Sequence, residues 1–181
     1  MMDTCKRLVI AITILSVAVH SKPTEFKMCD SKWGSEVIRN GQGQTICQKG
    51  DLLTALAMAV AGCEAKLDGK NPDPSTLNEW LDNHNGFAAD GSVILNSLAS
   101  LSISQSLNTD PNASKQKLKS TNEVLIQDKA GSWYAVKSFS SSQFIVYDPR
   151  GLKSALSNDE FKQASIYFGR WCGGTTTLSL E

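Results

Sequence analysis

Hydrophobic and polar positions change rhythm several times along this chain. Leu8 to Val19 is an apolar stretch of 12 residues behind Lys6 and Arg7, with Val19 and Ser21 small enough for a cleavage site after Ser21. That layout is expected of a secretory signal peptide, and it sets residues 1–21 apart from a single domain over 22–181. After Gly50-Asp51, the stretch Leu52 to Ala65 is apolar on nearly every side and is expected to end near Leu67-Asp68-Gly69. A helix without a polar face is normally wrapped by the rest of its domain. This one is shorter than the roughly 20 residues that cross a bilayer. It is expected to be the buried central helix, with Asp51 as its N-cap.

Asp73-Pro74 has the form of a cap followed by proline in the first helical position. Leu77, Trp80 and Leu81 then share one face, and Asn83-His84-Asn85-Gly86 stops the helix. Val93, Ile94, Leu95, Leu98 and Leu101 predict a third amphipathic segment. Ser102 to Thr121 is polar and without period, so it reads as a long loop. It carries Asn112-Ala113-Ser114, an N-glycosylation sequon with Asn112 as acceptor. The last third shifts to β-branched and aromatic residues: Val124–Gln127, Trp133–Phe139, Gln143–Asp148 and Ser165–Phe168 predict strands, with a hairpin turn at Ser140-Ser141-Ser142. Ser157-Asn158-Asp159-Glu160 has capping-box spacing and predicts a short helix before the final strand. Helices followed by an antiparallel sheet make an α+β domain.

Charge and cysteines narrow the chemistry. Lys and Arg number 18 and Asp and Glu 18, so no basic field draws in nucleic acid. No second apolar run is long enough to serve as a membrane anchor, and Gly173 to Glu181 lacks the hydrophobic stretch of a lipid-anchor signal. Cys5 leaves with the signal peptide. Cys29, Cys47, Cys63 and Cys172 remain, an even set suited to two disulfides in an extracellular chain. Three connectivities are open; one of them staples Cys29 to Cys47 and Cys63 to Cys172. Full pairing leaves no thiol for catalysis. Asp68, Asp73 and Asp90 are scattered and no Cys-x-x-Cys occurs, so neither a metal site nor a cofactor is expected.

Four motifs in order carry a resemblance. Cys29-Asp30-Ser31-Lys32-Trp33-Gly34 with Thr45-Ile46-Cys47 and Gly50-x-Leu52-Leu53-Thr54-Ala55-Leu56-Ala57-Met58 resembles the opening of C39-like cysteine peptidase domains. Pro74-Ser75-Thr76-Leu77-Asn78-Glu79-Trp80-Leu81 with Asn85-Gly86-Phe87 is similar to a second family stretch. Gly131-Ser132-Trp133-Tyr134-Ala135-Val136 resembles the family's histidine-bearing strand, and Phe144-Ile145-Val146-Tyr147-Asp148-Pro149 its Asp-Pro strand end. The likeness covers roughly Met28 to Phe168.

The resemblance implies a papain-like fold, with a cysteine opening the central helix, a histidine on the first hairpin strand as its base, and an aspartate orienting that histidine. A helix N-terminus and an imidazole would lower the thiol pKa, and the third residue would fix the tautomer. Here the cysteine position is Asp51, the histidine position is Ser132, and only Asp148 matches. Gln48 or Gln44 stands near the place of an oxyanion glutamine. His84, the one histidine beyond the signal peptide, falls where the family has no catalytic residue. The implied protein is a secreted pseudoenzyme that binds a peptide or protein through the former substrate cleft, with Gln48 and Trp133 as cleft candidates and Tyr147 and Trp80 as further aromatics. Two alternatives remain open: a hydrolase using Asp51 with Asp148 or borrowing His84, and a structural extracellular protein with no pocket at that junction.

Overall fold

The structure, a computed structural model, describes residues 23–39, 43–119, 122–169 and 172. The expected signal peptide and the Gly173–Glu181 tail lie outside these residues. The chain is mixed α+β. It begins with α1 (Ile46–Lys49), α2 (Asp51–Gly62) and α3 (Pro74–Asn83), then a single 3-10 turn at Ser97–Leu101. β1 (Ile103–Asn108), α4 (Pro111–Lys119), β2 (Glu123–Asp128), β3 (Trp133–Phe139), β4 (Gln143–Tyr147), β5 (Ala155–Ser157) and β6 (Phe161–Gly169) follow. The six strands form one antiparallel sheet in the order β1-β6-β2-β3-β4-β5.

Period-2 side-chain alternation gives the sheet two buried faces. Leu125, Trp133, Ala135 and Tyr167 pack with α2 in one core. Val124, Ile126, Tyr134, Val136 and Phe144 form a second core on the opposite face, against which Leu118 of α4 rests. Burial on both sides explains why β2 and β3 read as nearly continuous apolar runs. Leu53 to Val60 of α2 are all buried, as its lack of a polar face requires. The helix is shorter than its apolar run: it stops at Gly62, and Cys63 caps it. Glu64 then turns left-handed at φ 53°, so Ala65 and Leu67 enter the core from irregular backbone. Gly50 lets α1 and α2 meet almost end to end, because a Cβ there would run into the Ile46 carbonyl.

Asp73 caps α3 by accepting the Thr76 N–H at 2.7 Å, while the Asp73 N–H donates to Thr76 Oγ1 at 2.8 Å. Replacing Asp73 by alanine is expected to lower stability by about 1 kcal/mol, read as a shifted urea midpoint with an unchanged slope.

Three expectations are corrected. Val93–Leu101 is not an amphipathic helix: Val93, Leu95, Leu98 and Leu101 reach the core from a loop and one 3-10 turn while Ile94 is exposed, and Ser102 ends that turn at φ 57°. Ser102–Thr121 is not a loop but holds β1 and α4. β1 is an edge strand that exposes Ser104, Ser106 and Leu107, which blurs its alternation. α4 opens on Pro111, with the Asn112 N–H donating to Asp110 Oδ1 at 2.8 Å. Its low apolar content hid the helical period. Ser157–Glu160 makes the reciprocal capping contacts, Ser157 N–H to Glu160 Oε2 at 3.0 Å and Glu160 N–H to Ser157 Oγ at 3.3 Å. It forms a tight turn rather than a helix, because β6 starts at Phe161.

The cysteines pair Cys29 with Cys47 and Cys63 with Cys172. Among the described residues no helix is long and apolar enough to cross a membrane.

Candidate functional site

The N-terminus of α2 abuts the start of β3. Asp51 is the first residue of the helix, and Gly50 is the N-cap, so the expected aspartate cap is corrected. The Asp51 carboxylate leaves its own helix and accepts the Trp133 N–H at 3.0 Å, 82 residues away. Backbone preference explains the choice: residue 133 opens β3, and its N–H faces the helix rather than a neighbouring strand. The bond fixes where α2 begins on the sheet.

Ser132, next to that N–H, is held from two sides. Its N–H donates to Asp128 Oδ1 at 2.9 Å, and its hydroxyl accepts from the Arg150 guanidinium. Arg150 also donates through Nε to Asp148 Oδ1 at 3.2 Å and through Nη2 to the Tyr134 hydroxyl at 2.5 Å. Its guanidinium lies 5.2 Å from the Tyr134 ring centroid. Tyr134 in turn donates to Asp128 Oδ2 at 2.8 Å. Burial, then the hydrogen bond to Asp128, pushes the Tyr134 phenol up. Arg150 thus spans the space between Ser132 and Asp148.

Asp148 has no exposed side-chain surface. Its two oxygens accept four N–H donors: the Arg150 backbone at 2.9 Å and Nε at 3.2 Å on Oδ1, and the Leu152 and Lys153 backbones, each at 3.0 Å, on Oδ2. A carboxylate so filled has no free oxygen for proton transfer. Positions 51, 132 and 148 are therefore linked in series, Asp51 through the Trp133 amide and Ser132 through Arg150 to Asp148.

A cleft of about 270 Å³ opens at Asp51, walled by Gln44, Lys49, Asp90, Ser92 and Trp133 among others. Asp90 also lines it: hydrogen bonds from the Ser92 side chain and backbone hold its carboxyl below the usual range, and the charge of Lys49 adds to that. Of the two glutamines, Gln44 lines the cleft. Gln48 turns away, its Oε1 accepting the Thr45 N–H at 2.9 Å at the start of α1. His84 is elsewhere, capping α3, its ring stacked on Trp80 at 4.2 Å. Trp80 is core, and Tyr147 packs at the edge of the core under Lys137. Asn112 is exposed on the first turn of α4, so the sequon sits on a helix, with the Ser114 hydroxyl donating to the Asp110 carbonyl at 2.8 Å. Cys29, Cys47, Cys63 and Cys172 are all in disulfides. Among the described residues no three His, Cys, Asp or Glu side chains gather as metal ligands.

Sequence reasoning missed Arg150, Tyr134, Asp128, Lys49 and Asp90. Asp148-Pro149-Arg150-Gly151 carries a turn signal, but nothing in it says that the arginine folds back onto β3. Comparison with protein-family models, curated proteins and solved structures returns no match for this chain. The fold and site define an α+β domain with a buried helix pointing its N-terminus into an open cleft.

Proposed function

We propose that this chain is a secreted, glycosylated pseudoenzyme of the C39-like, papain-like type, which holds a peptide or protein segment in the cleft at the start of α2. The observation that carries the reading is the pairing of an open cleft with spent chemistry. Asp51, in the nucleophile's place, bonds the Trp133 amide while still lining about 270 Å³ of space. Ser132, in the base's place, is bound to Arg150. The open cleft favours a binding role over a purely structural one, and the filled carboxylate of Asp148 weighs against acid–base hydrolysis with Asp51.

The test is hydrolysis of a fluorogenic peptide pool by the parent chain beside the triple variant Asp51→Cys, Ser132→His, Arg150→Ala. The arginine must go, because it occupies the place an imidazole would take. The parent is expected at background. The variant is expected about tenfold above it, a small part of what a positioned base contributes, with the gain lost to iodoacetamide. A parent that hydrolyses peptide and is silenced by Asp51→Asn overturns the reading.

A further inference from the structure

We infer that a groove beside the Asp148–Lys153 turn docks an extended acidic segment of a partner protein, at a place separate from the cleft at Asp51. The groove encloses about 450 Å³ and is lined by Lys27, Lys137, Tyr147, Leu152 and Lys153 among others, none of which lines that cleft. Its volume is in the range of ligand sites.

Two separate devices shape it. The first is the turn. Asp148 accepts the backbone N–H groups of Arg150, Leu152 and Lys153, Gly151 supplies the left-handed φ of 74°, and Lys27 Nζ donates to the Asp148 carbonyl at 3.1 Å. The Met28 N–H bonds the Pro149 carbonyl at 2.8 Å, tying the turn to the N-terminal arm. At the tip of this fixed loop Leu152 is 77 % exposed, more than any other large hydrophobic among the described residues. An apolar side chain on a rigid turn is preorganised for contact, since little freedom is lost on binding.

The second device is a β-bulge. The register between β3 and β4 shifts between Val136 and Ser138, so Lys137 is the extra residue. Bulges re-aim side chains, and this one sets the Lys137 ammonium 5.3 Å from the Tyr147 ring centroid, on the groove wall. Among the described residues Lys137 has no carboxylate partner.

Charge selects the partner. Three lysines line the groove against Glu25 and the buried, saturated Asp148. Lys27 pairs with Glu25 at 2.6 Å, and Lys153 with Glu160 at 2.7 Å and with the nearly buried Asp128 at 3.8 Å, so Lys137 is the groove's cation without a carboxylate among the described residues. The exposed Lys27–Glu25 pair contributes little to stability. A concave groove with one protruding leucine suits a chain better than a flat bilayer. A segment that carries both kinds of side chain can set carboxylates on Lys137 and its neighbours and apolar groups on Leu152.

The probe is an end-blocked octapeptide alternating glutamate and leucine, titrated into the full disulfide-bonded chain by calorimetry and by amide NMR. Expected are shifts at Lys137, Tyr147 and Leu152. Binding is expected to be about tenfold weaker in Leu152→Ser and in Lys137→Glu, the scale of losing one interface anchor. It is expected to be unchanged in Lys162→Glu and in Asp51→Asn. Unchanged affinity in both groove variants overturns the proposal, as does binding lost in Asp51→Asn. Equal binding of octaglutamate, of a heparin oligosaccharide or of anionic phosphatidylglycerol vesicles would overturn it too, because each would dispense with the apolar contact or the groove.

Discussion

Replacing Cys63 and Cys172 together by alanine is expected to lower unfolding stability by about 4–5 kcal/mol, the loop-closure value for a cross-link over roughly 100 residues. The bridge spans 109 residues, a segment that contains α3, α4 and all six strands of the sheet. Cys29–Cys47 spans 18, and its loss is expected to cost about 3 kcal/mol by the same relation. The larger loss is about a quarter or more of the 5–15 kcal/mol that holds most domains folded. Its site adds to the effect. Cys63 caps α2 and is 1 % exposed, so the bridge pins the C-terminal end of the buried helix while Asp51 pins its start on Trp133. Urea unfolding of the two double variants, each with the other bridge intact, measures the difference. Equal losses would show that loop length does not govern it.

Glu123→Gln is expected to stabilise the protein at pH 8 and to leave it unchanged near pH 4.5. Glu123 opens β2, is 6 % exposed, and pairs with Tyr167 of β6 across the sheet. It packs against Gly62 so closely that a Cβ there would lie 2.6 Å from the carboxyl. Burial pushes this carboxyl up to about 8 from 4.5. Below about 4.5 the folded and unfolded chains both hold the proton, and the group costs nothing. As pH rises from there to 8, the unfolded chain releases the proton and the native chain keeps it, so stability falls by up to about 1.4 kcal/mol per pH unit. Glutamine cannot ionise, so the variant is expected to gain on the order of 4 kcal/mol over the parent by pH 8. The difference between the two urea curves, followed from pH 4.5 to 8.5, isolates this group from every other carboxylate. A constant difference across that range would rule the account out.

The sequence exposed the parts of this fold whose burial is extreme. α2 was legible because only Thr54 interrupts the apolar stretch Leu53 to Val60, and α3 because Asp73-Pro74 announces its start. β2, β3 and β4 stood out through β-branched and aromatic runs that two buried faces demand. The elements that escaped are those with one wet side. β1 keeps only Ile103 fully buried, and α4 buries Ser114 and Lys115 where a period search looks for leucine. Lys115 reaches the Ser141 carbonyl at 2.9 Å and Asn158 Oδ1 at 2.6 Å, a tertiary use of lysine that local pattern cannot express. The site was legible in the same uneven way. Positions 51, 132 and 148 could be named from motif order, whereas the arginine that connects two of them is placed by a turn whose geometry depends on the folded sheet.

Arg150 also closes a door. With its guanidinium seated on Ser132, any bulkier side chain at 132 meets a fixed cation and strips that cation of a partner. Removing the arginine first leaves the Tyr134 hydroxyl and Asp148 each short of a donor. Each single change at this corner therefore loses contacts before it can gain any, and the corner works as a ratchet that holds its own arrangement in place.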